Sequence, residues 1–306
     1  MTTAVSTSAA PHPRNPPAAS ITLLGMGAIG TLMAWHWRSQ RLFCLSRSQQ
    51  GCERRIQDQQ GANHTLLLPH WDHAPTDWLV ITTKAADTLS ALRPLQPDLP
   101  RINNILLLQN GMGQQQQVAE WLSQFSQAPQ LWVGISTEGA YRPSQQQVIW
   151  AGCGETCIGR WSEQGRIPAP ALPNTRSVSD IHTRMRAKLA INAVINPMTA
   201  VLQCRNGELL SNADYSRQMT LLADEIQWLY QQLGWSLDFS LAQRAAEVAQ
   251  ATANNRSSSL QDVLNQRPTE LNYITGFLLQ QAQKHQLSLP HSEYWLQQLG
   301  ERSRNE

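Results

Sequence analysis

The segment ITLLGMGAIGTLMAWHWRSQ, residues 21–40, limits the fold more than any other stretch of the chain. A short apolar run meets Gly25, Gly27 and Gly30 and gives way at once to a helix-patterned segment, so strand, tight turn and helix follow one another. In the spacing GxGxxG the first glycine permits the turn, the second lets backbone approach a pyrophosphate, and the third lets helix and strand pack closely. Phosphate then sits on the helix N-terminus. Gly25, Met26, Gly27, Ala28, Ile29 and Gly30 are therefore candidate cofactor-binding residues. Ordinary turns share a bare glycine pattern; the strand before it and the helix after it favour a dinucleotide site.

The next apolar run, RLFCLSRS, reads as a second strand, and dinucleotide-binding sheets place an acidic residue at its end for the ribose hydroxyls. Here Ser46, Arg47 and Ser48 stand instead, and a guanidinium suits a ribose 2′-phosphate, which favours NADPH over NADH. A solvated loop arginine is the plain alternative. DWLVITTKA (77–85) and NNILLLQNGMG (103–113) read as further strands that end in polar residues at the ligand-facing edge of a doubly wound sheet. Lys84 and Asn110 are thus candidates for contact with cofactor or substrate, against a solvated lysine and an asparagine that merely starts a turn. SALRPLQPDLP reads as a short helix with a proline-rich return. LWVGISTEGAYRP and QQVIWAGCGETCIGRW read as strands, the second an antiparallel finish to the sheet.

After Trp161 the texture becomes rich in proline and small polar residues, as in a connector. Beyond residue 180 helical periodicity prevails, including 219–233, 241–253 and 271–281, with no convincing strand. The expected fold is α/β: a Rossmann-like doubly wound domain at 21–179 and an all-helical domain at 180–306, after a disordered polar tail at 1–20. A length of 306 residues suits two ordinary domains. A net charge of +2 gives no ground for a nucleic-acid or membrane surface, and no apolar segment approaches the ~20 residues that span a bilayer. Five cysteines without CxxC pairs or Cys/His clusters indicate reduced thiols, no metal and a cytoplasmic setting. Small-molecule chemistry is the class that remains.

The segment RAKLAINAVINPMTA then raises a physical question, because Lys188, Asn192 and Asn196 recur on one face of an otherwise apolar helix. Burying an ammonium and two amides costs several kcal/mol unless partners are supplied. Pro197 adds the expectation of a bend or an exposed carbonyl where the stripe ends. Such a stripe borders a polar cleft; an interface between domains would produce the same pattern.

Together GMGAIG, QNGMG, KLAINAVINPMTAVLQCRNGEL and ATANNRSSSLQDVLNQRPTELNYITGFLL resemble the ketopantoate reductase family, over about residues 21–290. The resemblance implies a Rossmann domain joined to a helical domain, an active site between them, and NADPH-dependent reduction of 2-dehydropantoate (ketopantoate), a step of pantothenate and coenzyme A biosynthesis. It also implies roles. Lys188 is the general acid, with Glu270 paired to it; Asn110 lies near nicotinamide and lysine; and Lys84 is a second active-site lysine at the cofactor. Asn192, Asn196 and Asn255 hold the hydroxyl end of the substrate, Ser258 its carboxylate, and Arg47 the 2′-phosphate. The partners implied are a small-molecule substrate and, at most, a second copy of the chain, as monomer or homodimer. Glu138 and Arg256 depart from the family pattern and bear on substrate fit. The alternatives are a related 2-oxo acid or imine reductase of the same fold and a silent NADPH-binding regulator.

Overall fold

The computed structural model describes residues 18–162 and 172–305, with side chains to residue 301. Most of the expected polar tail and the RIPAPA part of the connector lie outside the described residues. In chain order the N-terminal half comprises β1 (Ser20–Leu24), α1 (Ala28–His36), β2 (Arg41–Leu45), β3 (Cys52–Gln57), β4 (Asn63–Leu68), β5 (Thr76–Ile81), α2 (Thr88–Leu92), β6 (Ile102–Leu107), α3 (Gln114–Leu122), β7 (Gln130–Ser136), β8 (Gly139–Tyr141), β9 (Gln147–Gly152), β10 (Thr156–Arg160) and β11 (Arg176–Ser177). Helices follow: α4 (Ile181–Leu202), α5 (Glu208–Ser211), α6 (Ala213–Gln232), α7 (Leu241–Ala251), α8 (Ser258–Leu264), α9 (Thr275–Lys284) and α10 (Pro290–Asn305).

The main sheet has seven strands in the order β11-β10-β7-β6-β5-β1-β2. Strands β7, β6, β5, β1 and β2 run parallel, β10 joins β7 antiparallel as expected, and the two-residue β11 extends the sheet beyond it, parallel to β10. This is the Rossmann-like arrangement, with an all-helical C-terminal half. Two expected strands divide. LWVGISTEGAYRP yields β7 and β8, and QQVIWAGCGETCIGRW yields β9 and β10, because β8 and β9 leave the main sheet for a second one ordered β4-β3-β9-β8. Strands β3 and β4 were not foreseen, since CERRIQ carries its apolar residues on one face only and interleaves them with charge.

The glycine turn after β1 is built as the spacing demands. Gly25 has φ +107°, and a Cβ on Gly30 would overlap the Gly25 carbonyl, which also accepts from the Thr82 hydroxyl. Gly30→Val is therefore expected to destabilise the fold by about 3 kcal/mol, within the range for overpacking a tight contact. A thermal melt checks this, and an unchanged midpoint would show that the helix and strand do not close on that glycine.

The second structural determinant is α4, 22 residues long. It packs on α6, α7, α8 and α10 and also lies on β7 and β10, so one apolar cluster runs from Leu79, Ile105 and Val133 of the sheet into Ala193, Val194 and Met198 of the helix. Pro197 lies inside this helix, which continues to Leu202 and stops only where Gln203 adopts a left-handed φ of +51°. The residues around Pro197 are buried on several sides, and that packing outweighs the local cost of the proline.

Candidate active site

The parallel strands direct their carboxyl ends at a cleft of about 2730 Å³ between the sheet edge and the helical half. Of the residues singled out from sequence, Gly25, Met26, Gly27, Ala28, Ile29, Arg47, Lys84, Asn110, Lys188, Asn192, Asn196, Asn255, Ser258 and Glu270 all line it. Gly30 is buried beneath the turn as a packing residue. A cradle for a phosphate-bearing group is present in the backbone: a Cβ at Gly27 would meet no atom within 4 Å, so this part of the turn faces open space. The turn therefore fits a dinucleotide.

Lys188 is half-buried on the cleft-facing side of α4, and its Nζ donates to Asn110 Oδ1 at 2.9 Å and to the carbonyl of Ser136 at 2.7 Å. Both acceptors lie at the edge of the sheet, so the helix projects its cation onto the carboxyl ends of β6 and β7. Burial pulls the ammonium down from its ordinary value to about 8, and the negative charge of Glu270 opposes that drop.

Glu270 is not ion-paired to Lys188, contrary to the pairing the family resemblance implied. Its Oε1 accepts from the Ala85 backbone N–H at 3.1 Å, its Oε2 accepts from Asn110 Nδ2 at 3.4 Å, and Lys84 Nζ lies 3.8 Å from Oε2. Asn110 thus stands between carboxylate and ammonium, its amide nitrogen turned to one and its oxygen to the other. The bridging geometry has a local cause. Gly111 has φ +78°, and a Cβ there would lie 2.5 Å from the Tyr273 carbonyl oxygen, which also accepts from the Met112 N–H at 2.8 Å. The loop after β6 and the turn carrying Glu270 are pressed together at that glycine. Burial raises the Glu270 carboxyl, while Lys84 and the bonds from Ala85 and Asn110 draw it down.

The polar stripe on α4 is continuous with α8. Asn196 Nδ2 donates to Ser258 Oγ at 3.4 Å, and Thr199 Oγ1 donates to Ser257 Oγ at 2.7 Å. Asn255 contributes its carbonyl, which accepts from Asn206 N–H at 3.1 Å. Arg47 is exposed at the end of β2, beside Ser46 and Ser48, whose hydroxyls are 3.1 Å apart. Glu138 is committed to the protein: its carboxylate accepts from Trp150 Nε1 at 2.8 Å and lies 3.2 Å from His36 Nε2. Arg256 is exposed on the cleft wall.

Two cleft residues not singled out from sequence are Asp262, which ion-pairs with Lys84, and Asn206, whose buried Oδ1 has no hydrogen-bond partner. Both lie inside segments already singled out, RNGEL and SSSLQD, but neither falls on the stripe of α4 that drew attention. Arg54 and Arg142, carried by the unforeseen second sheet and its β8–β9 connection, line the cleft as well. Among the described residues no group of His, Cys, Asp or Glu is placed to hold a metal ion, and no helix is long and apolar enough to cross a membrane.

A Rossmann-type sheet whose glycine turn shares one cleft with a sheet-anchored lysine and a helical half defines a two-part oxidoreductase of the dinucleotide-binding class. Sequence comparison sharpens that class. Residues 21–163 match the family described as Ketopantoate reductase PanE/ApbA, and residues 180–303 match its C-terminal counterpart. The chain belongs to the ketopantoate reductase family. It is 32% identical over 292 residues to the 2-dehydropantoate 2-reductase of Vibrio cholerae, covering 92% of this chain and 96% of that protein. The crystal structure of a probable 2-dehydropantoate 2-reductase from Bacillus subtilis superposes with a TM-score of 0.72 at 28% identity, covering 92% of this chain and 99% of that one. The same fold, at 16% identity and a TM-score of 0.80, occurs in D-mandelate dehydrogenase solved with NADH and anilino(oxo)acetate, covering 94% and 99% of the two chains.

Proposed function

We propose that this protein reduces 2-dehydropantoate to pantoate with NADPH, and that Lys188 is the acid that protonates the ketone oxygen. One observation carries the reading: the Lys188 ammonium is held at the sheet edge by Asn110 and the Ser136 carbonyl, in the same cleft as the glycine turn. The turn at Gly25–Ile29 would hold the diphosphate, Arg47 the 2′-phosphate, and Lys84 and Asn110 the nicotinamide end. When bound, the reduced nicotinamide supplies the hydride.

The rest of the chemistry belongs to this chain. Reduction of a ketone develops negative charge on oxygen, and Lys188 meets it with both a positive charge and a proton. An ammonium brought to about 8 gives up that proton near neutral pH more readily than a solvated lysine. Asn110 keeps the ammonium directed by accepting one of its three N–H bonds. Asn192, Asn196 and Asn255 supply neutral hydrogen bonds to the hydroxyl end of the substrate, and Ser258 one to its carboxylate. Buried groups of this kind reject an analogue that leaves them unpaired.

The purified protein should therefore oxidise NADPH with ketopantoate at least about 10²-fold faster than with 2-oxoisovalerate, which lacks the hydroxymethyl group. Following nucleotide absorbance with each oxo acid measures this ratio. Equal rates with both acids would overturn the substrate assignment.

A further inference from the structure

Three arginines line the cleft, and one of them touches the glycine turn. Arg54 stands on β3, Arg142 in the connection between β8 and β9, and Arg267 between α8 and the turn that carries Glu270. The Nε of Arg54 donates to the Met26 carbonyl at 3.1 Å, which fixes its guanidinium on the turn one residue from Gly27. The Nε of Arg142 is buried without a hydrogen-bond partner. Among the described residues none of the three is ion-paired with a carboxylate; Asp262, which Arg267 faces, is engaged by Lys84. They are near enough to act on one another, since burial and the charges of Arg267 and Arg54 push the Arg142 guanidinium downward. Like charges gathered from three separate elements, with Asp262 as the one carboxylate shown acting on Arg267 and already ion-paired to Lys84, raise the energy of the free protein, and an anion placed among them lowers that cost.

We propose that Arg54, Arg142 and Arg267 form a clamp on the diphosphate of the bound dinucleotide, distinct from the 2′-phosphate position at Arg47. The assignment rests on the reading of the glycine turn as a dinucleotide site. Position selects the diphosphate, because Gly27 is where this turn leaves room for a pyrophosphate and Arg54 is fastened to the adjoining peptide. Chemistry agrees, because planar guanidinium forks match phosphoryl oxygens with paired donors. Two of the arginines come from the N-terminal half and one from the helical half, so the clamp reaches across the cleft.

The test is equilibrium binding of NADPH and of NADH, by calorimetry, to the wild-type protein and to Arg54→Gln, Arg142→Gln, Arg142→Lys, Arg267→Gln and Arg47→Gln. Both nucleotides carry the diphosphate and only one carries the 2′-phosphate. The three clamp Gln variants are expected to weaken both nucleotides by the same factor, about tenfold or more, as removal of a charged hydrogen-bond donor does. They should also flatten the salt dependence of Kd, with Arg142→Lys recovering part of the loss, while Arg47→Gln weakens NADPH alone. Unchanged binding in the clamp variants overturns the proposal. A loss confined to NADPH overturns it too, by moving these residues to the 2′-phosphate. A loss that accompanies a lowered melting temperature and is not relieved in Arg142→Lys assigns them a structural role instead. Failure of the wild-type protein to bind either nucleotide would strike the cofactor reading itself, separately from the clamp.

Discussion

Lys188→Ala is expected to lower kcat/KM for ketopantoate by about 10²–10⁴-fold, the range supplied by a positioned general acid. The substitution removes the proton donor and the positive charge that meets the developing oxyanion, and leaves Asn110 Oδ1 and the Ser136 carbonyl without their shared donor. Dinucleotide binding should survive, because the glycine turn and Arg47 are on other elements, so the defect should fall mainly on kcat. The wild-type pH profile carries the same information with a definite sign. An acid must be protonated to act, so kcat/KM should be level below about pH 8 and decline as pH rises through the value set by burial. Full turnover in the alanine variant, or a profile level beyond pH 10, would remove Lys188 from the chemistry.

Glu270→Gln is expected to cost about 10²-fold in kcat/KM, the effect of small misplacement of a reacting group. The carboxylate holds three things at once: the Ala85 N–H, the Asn110 amide and, more loosely, the Lys84 ammonium. Through Asn110 it sets the orientation of the acceptor that directs Lys188. Its negative charge also holds the Lys188 ammonium up against the effect of burial, so neutralising it should lower that value further. The alkaline decline in Glu270→Gln should therefore begin at a lower pH than in the wild type. A purely structural role would depress activity equally at every pH, so comparing the two profiles separates electrostatic tuning from positioning. An alkaline limb that stays in place, or moves upward, would refute the coupling between Glu270 and Lys188.

The glycine turn shows how far local sequence reaches. Strand, turn and helix are encoded within residues 20–36, and Gly25 and Gly30 are each required by a contact inside that unit or with the next strand. The parallel strands were legible for the same reason, as short apolar runs buried on both faces. Strands β3 and β4 were not legible, because CERRIQ interleaves apolar with charged residues and NHTLLL opens polar, so their half-buried faces become plain only in the fold, where α1 packs on β3. With them went Arg54, while Arg142 escaped notice because the division of LWVGISTEGAYRP into β7 and β8 was not foreseen.

The lysine and asparagine stripe of α4 was equally plain, since residues four apart share a helix face whatever surrounds the helix. Which groups that stripe meets was another matter. Family resemblance set Glu270 directly against Lys188, whereas the fold inserts Asn110 between them and turns Glu270 toward Lys84 and the Ala85 amide. Pro197 signalled a bend or an exposed carbonyl, and it was the burial of its neighbours that carried the helix on to Leu202.

Sequence by itself therefore determined the dinucleotide-type turn, the change from sheet to helices and the identity of the polar face on α4, because each is a periodicity or spacing within a single element. Tertiary structure decided the partners of that face, the second sheet and the arginines it carries. Those depend on side chains from segments 78 to 178 residues apart, such as Asn110 with Lys188 and Lys84 with Asp262, meeting across a cleft that forms only when the helical half packs on the sheet.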